Sequence, residues 1–136
     1  MKVISIQQPF ASLIAENLKE YEFRTWKTAY RGDILIHSSK SLTGKYKASM
    51  NKFTEYDLEY PLGCLIAKAT LTDCIQVDEV FKQSLRAKNP LVYSGITEDD
   101  TWSGYAFKLE NIEKIEPIYT GGKLGLWEYD YGGGSK

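Results

Sequence analysis

Residues 17–40 read NLKEYEFRTWKTAYRGDILIHSSK, and this stretch decides the fold. It opens at Asn17, a residue that accepts the left-handed backbone and so suits the end of a helix. Alternation follows. Tyr21, Phe23 and Thr25 point one way and Glu22, Arg24 and Trp26 the other, as on a strand with two unlike faces. Gly32 then precedes a second alternating run, DILIHSS, with Ile34 and Ile36 on one face and Leu35 and His37 on the opposite one.

Upstream, KVISIQ (2–7) reads as a first strand. Pro9 stands where a helix begins, since its missing N–H costs nothing there. Phe10, Leu13, Ile14 and Leu18 follow at helical spacing, which predicts a short helix over 9–18. Downstream, residues 40–60 are polar and lysine-rich, with Tyr46, Met50 and Phe53 spaced for a loosely packed helix. Gly63 opens a long strand to about Val77, and Asp78 is a good cap for the helix DEVFKQSLRA, which Asn89-Pro90 ends. YSGITEDDTWSG is expected to be a mobile loop, followed by strands near 104–110 and 112–119, a turn at Gly121-Gly122 and the segment LGLWEYD. About six strands with two or three short helices, without regular βαβ alternation, predict an α+β domain. Its sheet is curled or barrelled, antiparallel or mixed, with the helices at its ends. Residues 1–131 form one domain, and GGGSK (132–136) is a flexible tail.

Composition agrees. The chain has 136 residues, 43% of them hydrophobic and 26% charged, enough for a real core. No apolar run approaches the roughly 20 residues that cross a bilayer, and Gln7, Gln8 and Pro9 interrupt any leader-like segment, so a cytoplasmic protein is expected. Cys64 and Cys74 share one strand-like run, roughly 33 Å apart if extended, so they are expected to be two buried, reduced thiols. With His37 the only histidine, no zinc-ligand spacing exists, and no cofactor motif is present. Of the 18 aromatics ten are tyrosine, which suits a sheet-rich domain. The net charge of −1 speaks against a broadly basic nucleic-acid coat, but it is a cancellation. Residues 19–52 carry eight basic side chains against three acidic, and residues 53–136 carry eight against fourteen.

The basic surplus falls on the segment that holds the candidate site: Lys19, Glu22, Arg24, Trp26, Arg31, His37, Ser39 and Lys40. A cation, a carboxylate and a planar guanidinium beside an indole can grip a phosphate or a base edge and stack its ring. The plainer alternative is an edge strand whose Glu22–Arg24 ion pair guards against sheet-to-sheet association. His37 is read as lining a cleft and touching substrate, not as part of a hydrolase triad, since no nucleophile elbow accompanies it. Gly121, Gly122 and Gly125 lack a phosphate-loop context and read as turn residues. The acids Glu98, Asp99 and Asp100 read as a solvated loop and not as a cation site.

The runs SIQQPFASLI, NLKEYEFR and YRGDILIHSSK resemble the ASCH domain family, a branch of the PUA-like β-barrels whose signature is G-x-K-x-x-E-x-R. Asn17 stands at the glycine position, with Lys19, Glu22 and Arg24 in place. The strand after Gly63, Tyr105-Ala106-Phe107 and Gly125-Leu126-Trp127 extend the likeness over about residues 6–127. The resemblance implies a small β-barrel with the signature residues lining a cleft, and an association with RNA. One branch of the family hydrolyses the acetamide of N4-acetylcytidine with a lysine at the Lys19 position, but it carries threonine where this chain has Glu22. A lysine base needs its pKa lowered from about 10.4 to roughly 7–8, and a neighbouring carboxylate opposes that.

Three functions follow in order. The first is an RNA- or nucleotide-binding module using Lys19, Glu22 and Arg24. The second is an amidohydrolase of a modified nucleoside, with Lys19 or Glu22 as the catalytic group. The third is a protein-interaction module acting through an exposed apolar patch.

Overall fold

The computed structural model describes residues 1–41 and 49–132. Its strands are β1 Lys2–Ile6, β2 Tyr21–Arg24, β3 Gly32–Ser38, β4 Cys64–Val77, β5 Gly104–Tyr119 and β6 Leu126–Glu128. The helices are α1 Phe10–Ala15, α2 Glu79–Lys88 and the single turn α3 Ser94–Thr97, with a 3-10 helix over Asn51–Tyr56. The strands form one sheet in the order β2-β5-β4-β3-β1-β6. The β1–β3 pair is parallel and the other pairs are antiparallel. This is the expected α+β mixed sheet, curled into a half-barrel. Among the described residues no helix is long and apolar enough to cross a membrane.

Period-two alternation sorts the core. Ile4, Ile6, Ile34 and Ile36 face one side of the sheet and pack with Ala11, Ile14 and Ala15 of α1, Ala67, Ala69 and Phe107. Val3, Leu35, Leu65 and Trp127 form a separate cluster. A third cluster joins Leu13, Tyr21, Val77, Leu85, Val92 and Tyr93, so α1, β2 and α2 contribute to one core.

Several local readings need correction. Helix α1 stops at Ala15, short of Leu18, because the chain already turns at Asn17. Strand β2 ends at Arg24, so Thr25 and Trp26 lie beyond it. Residues 104–119 form one strand instead of two. Asn111 takes a left-handed φ of 54° and donates to Thr70 Oγ1, which bends the strand while the ladder to β4 continues through register shifts. Pro117 is tolerated there because β2 pairs only with Tyr105–Lys108 of β5.

The expected mobile loop at 93–104 is an anchored segment. Tyr93 and Thr97 are buried, Lys82 Nζ donates to the Asp99 carbonyl at 2.9 Å, and Arg86 donates to the Thr97 carbonyl. Its many polar residues bond the local backbone, as Asp99 does with Thr101, so polarity did not mean mobility. Cys64 is buried but Cys74 is half-buried, at the more exposed end of β4, and both are free thiols. Met50 lies at a helix end and Phe53 is buried, whereas Tyr46 lies outside the described residues.

Candidate functional site

The site is set up by the way α1 ends. Asn17 adopts φ 62°, its N–H bonds the Ile14 carbonyl and the Leu18 N–H bonds the Leu13 carbonyl, both at 2.9 Å. This is the Schellman arrangement, and it explains asparagine at a position that suits glycine. Leu18 packs back into the cluster that contains Leu13. The reversal delivers Lys19 beneath the start of β2. Pairing with β5 (Glu22 opposite Phe107, Arg24 opposite Tyr105) then fixes which side Glu22 and Arg24 face.

Lys19, Glu22 and Arg24 are brought together as the signature predicts. Lys19 is 3% exposed. Its ammonium donates to the Tyr21 carbonyl and lies 3.4 Å from Glu22 Oε1. It also sits 4.7 Å from the centre of the Phe23 ring and 5.6 Å from that of Phe10. Glu22 Oε2 takes the other cation, with Arg24 Nε at 3.1 Å and Nη2 at 3.0 Å. Arg24 Nη2 also donates to the Ser5 carbonyl at 2.6 Å. Nη1 keeps both its hydrogens free among the described residues. Burial holds the Lys19 pKa below the usual lysine value. Glu22 opposes that shift and Arg24 adds to it.

Glu22 and Arg24 face a cleft of 630 Å³ that runs from β2 to the end of β1 and the 122–125 segment. This volume is in the range of small-molecule sites. Phe10, Phe23, Trp26 and Trp102 supply aromatic walls. Trp26 packs edge-on against Phe107, with ring centres 5.2 Å apart. Ser39 and Lys40 line the opposite part, together with Lys123. Lys40 and Lys123 are exposed and have no ion-pair partner among the described residues.

His37 lies in the lining, yet it is fully buried. Trp127 Nε1 donates to Ser5 Oγ at 3.1 Å, Ser5 Oγ meets His37 Nδ1 at 3.0 Å, and His37 Nε2 meets the Thr120 carbonyl at 2.8 Å. A carbonyl can only accept, so Nε2 carries the proton and the Ser5 hydroxyl donates to Nδ1. Both ring nitrogens are therefore engaged within the protein. His37 holds the 120–125 segment against β1 and lacks a free nitrogen for substrate.

Two predicted residues are set apart from the cleft lining: Lys19, which lies behind Glu22, and Arg31. Arg31 is turned away altogether. Its guanidinium donates to the Thr28 and Tyr30 carbonyls at 2.9 and 2.8 Å and faces Asp73 at 3.8 Å. The residues that the sequence reading left out of the site include Ser5, Gln7, the rings of Phe10, Phe23 and Trp102, and the 122–125 segment. Gln7 Oε1 is buried without a hydrogen-bond partner among the described residues. The pair Gln7-Gln8 at the end of a strand was the available signal. Gln8 folds back on Ser12 and the Pro61 carbonyl, whereas Gln7 lines the cleft. Gly121 is open to solvent, but Gly122 is more than a turn residue. A Cβ there would lie 2.7 Å from both His37 Cε1 and Ser5 Oγ.

Among the described residues no three metal-ligating side chains converge, and the acids at 98–100 form the loop described above.

The family model of the ASCH domain matches residues 4–119. The chain belongs to the ASCH domain family. Activating signal cointegrator 1 of Homo sapiens is 28% identical over 140 aligned positions, covering 90% of this chain and 24% of that protein. The Mus musculus protein of the same name is 30% identical over 89 positions, or 59% of this chain and 15% of that protein. This ASCH domain thus spans about a quarter of the human relative's length. The crystal structure of ASCH from Zymomonas mobilis superposes with a TM-score of 0.56 at 22% identity, covering 87% of this chain and 72% of that one. That likeness supports the fold.

Proposed function

We propose that this ASCH domain binds RNA, or a nucleotide within it, in the 630 Å³ cleft, with Glu22 and Arg24 in its lining and Lys19 behind Glu22 as the recognition centre. The observation that carries the reading is Glu22 held between two cations at the foot of an aromatic-walled cleft. A nucleobase needs such a site: rings to stack on, a carboxylate to accept from an amino group, and a guanidinium to donate to a carbonyl or phosphate. Lys40 and Lys123, exposed at the rim and without an ion-pair partner among the described residues, suit a passing phosphate backbone. The local basic surplus allows this on a protein that is acidic overall.

Trp26 and Trp102 line the cleft, so ligand entry should quench tryptophan fluorescence. Titrating a short mixed-sequence single-stranded RNA is expected to give saturable quenching that Glu22→Gln weakens at least tenfold. Unchanged quenching in Glu22→Gln would sink the reading.

The amidohydrolase reading draws on one observation, the buried Lys19 with its lowered pKa. Against it, Lys19 Nζ is bonded to the Tyr21 carbonyl and paired with Glu22, a carboxylate that works against the lowered pKa a base needs. Release of acetate from N4-acetylcytidine, lost in Lys19→Ala, would favour hydrolysis over binding.

A further inference from the structure

The signature residues do not all face one space. Arg24 lines the 630 Å³ cleft, Lys19 lines a second cavity of 310 Å³, and Glu22 lines both. The two Glu22 oxygens divide accordingly: Oε2 takes Arg24 and Oε1 faces Lys19. Phe10, Phe23 and Trp102 also line both spaces, so the partition between them is one layer of rings. Phe23 and Trp102 meet edge-to-face in it, with centres 5.9 Å apart.

The second cavity has the makings of a site. Its volume is at the low end for small-molecule pockets, which suits one ring system. Val92, Ile96 and Phe53 give it apolar walls. Ser94 also lines it, with a hydroxyl that makes no hydrogen bond among the described residues. The cleft has a counterpart in Gln7, whose buried amide oxygen is likewise unpartnered. Each compartment therefore combines aromatic walls, one unengaged polar side chain and one arm of the charged centre. Single-stranded nucleic acid presents successive bases that splay apart and stack on separate aromatic platforms.

We propose that the second cavity is the subsite for the nucleotide adjacent to the one in the cleft, so that the ligand of this domain is a dinucleotide step of a single strand, with Phe23 and Trp102 standing between the two bases. This rests on the nucleotide-binding reading of the cleft and adds to it that a lone nucleoside fills only half of the site.

The test compares dissociation constants at one salt concentration for nucleoside 3′- and 5′-monophosphates and for dinucleoside monophosphates. The dinucleoside ligands add a base without adding a phosphate. The wild-type chain should bind the dinucleoside monophosphates at least tenfold tighter, in line with the stacking of one further base. Ile96→Trp, which fills the second cavity from the partly exposed α3, should abolish that gain while changing mononucleotide affinity less than twofold. Ser94→Ala, a smaller change, should reduce the gain severalfold with the melting temperature retained. Equal affinity for the two ligand classes, or a gain that survives both substitutions, would overturn the second subsite and leave the cleft reading standing. Failure to bind any nucleotide would overturn the cleft reading itself.

Discussion

Arg24 Nη2 lies 2.6 Å from the Ser5 carbonyl, although β2 and β1 are four strand steps apart in the sheet. At about 4.8 Å per step a flat sheet would hold them roughly 19 Å apart. The bond therefore records the curl that makes the cleft, and it ties an edge strand to β1 without a backbone ladder. Arg24→Ala should lower stability by about 1.5–3 kcal/mol, the worth of a hydrogen bond from a charged group. Arg24→Lys should recover little, since an ammonium cannot fork between Glu22 and Ser5. Equilibrium denaturation checks this, and a loss below about 0.5 kcal/mol would mean that the curl is held elsewhere.

Glu22 opposes the lowering of the Lys19 pKa that burial imposes. Glu22→Gln should lower the Lys19 pKa further, as read by NMR titration of its side-chain resonances. A rise would show that Glu22 does not stabilise the Lys19 ammonium. Because the folded-state pKa is below 10.5, the folded state binds fewer protons than the unfolded chain between the two values. Lys19 thus makes stability rise with pH through that window, and Lys19→Met should flatten the slope. Glu22→Ala should cost about 3 kcal/mol or more, since it strands a buried cation.

Tyr93 gives a pH dependence of the opposite sign. Burial pushes its phenol up to about 12, and its oxygen accepts from the Glu20 N–H at 2.8 Å. The folded state holds the proton more tightly, so this contribution is present below pH 10 and is lost as pH rises towards 12. Burial also raises Tyr21 and Tyr60, so ultraviolet titration of tyrosinate should find that the last of the late phases, near 12, is absent in Tyr93→Phe. An unchanged late phase in that variant would contradict the assignment.

The positions of the strands and the charged centre were legible because both depend on local pattern. Alternation over 21–24 and 33–38 placed Glu22 and Arg24 on one face, and Asn17 marked the reversal that delivers Lys19. What escaped depends on contacts distant in sequence. Ser5 and Thr120 meet through His37, and nothing near residue 37 announces either. The anchoring of 93–102 rests on Lys82 and Arg86 from α2, so a polar, glycine-containing stretch passed for a loop. Arg31 was grouped with the site by proximity in the chain, but its guanidinium turns to its own loop and Asp73.

Gly122 sits against His37 and Ser5 with no room for a Cβ. Gly122→Ala should lift the 122–125 segment off the cleft, weakening RNA binding several-fold while shifting the melting temperature by only a few degrees. Comparing the fluorescence-quenching titration with a thermal melt separates the two effects. Full affinity in Gly122→Ala would remove this segment from the binding surface.

Lys40 and Lys123 are the rim cations assigned to phosphates. Each alanine substitution should reduce the slope of log affinity against log salt by about 0.7, the single-strand value. An unchanged slope would place the phosphates elsewhere. Leu124, 98% exposed at the same rim, should be replaceable by serine at no cost in stability.

The most direct test of the cleft as an RNA site is amide chemical-shift mapping of the labelled chain during titration with a short single-stranded RNA. The account predicts the largest shifts at Ser5–Gln7, Glu22–Trp26, Ser39–Lys40 and Gly122–Gly125, and little at Arg31. Saturable shifts confined to other surfaces, or none at millimolar RNA, would contradict it.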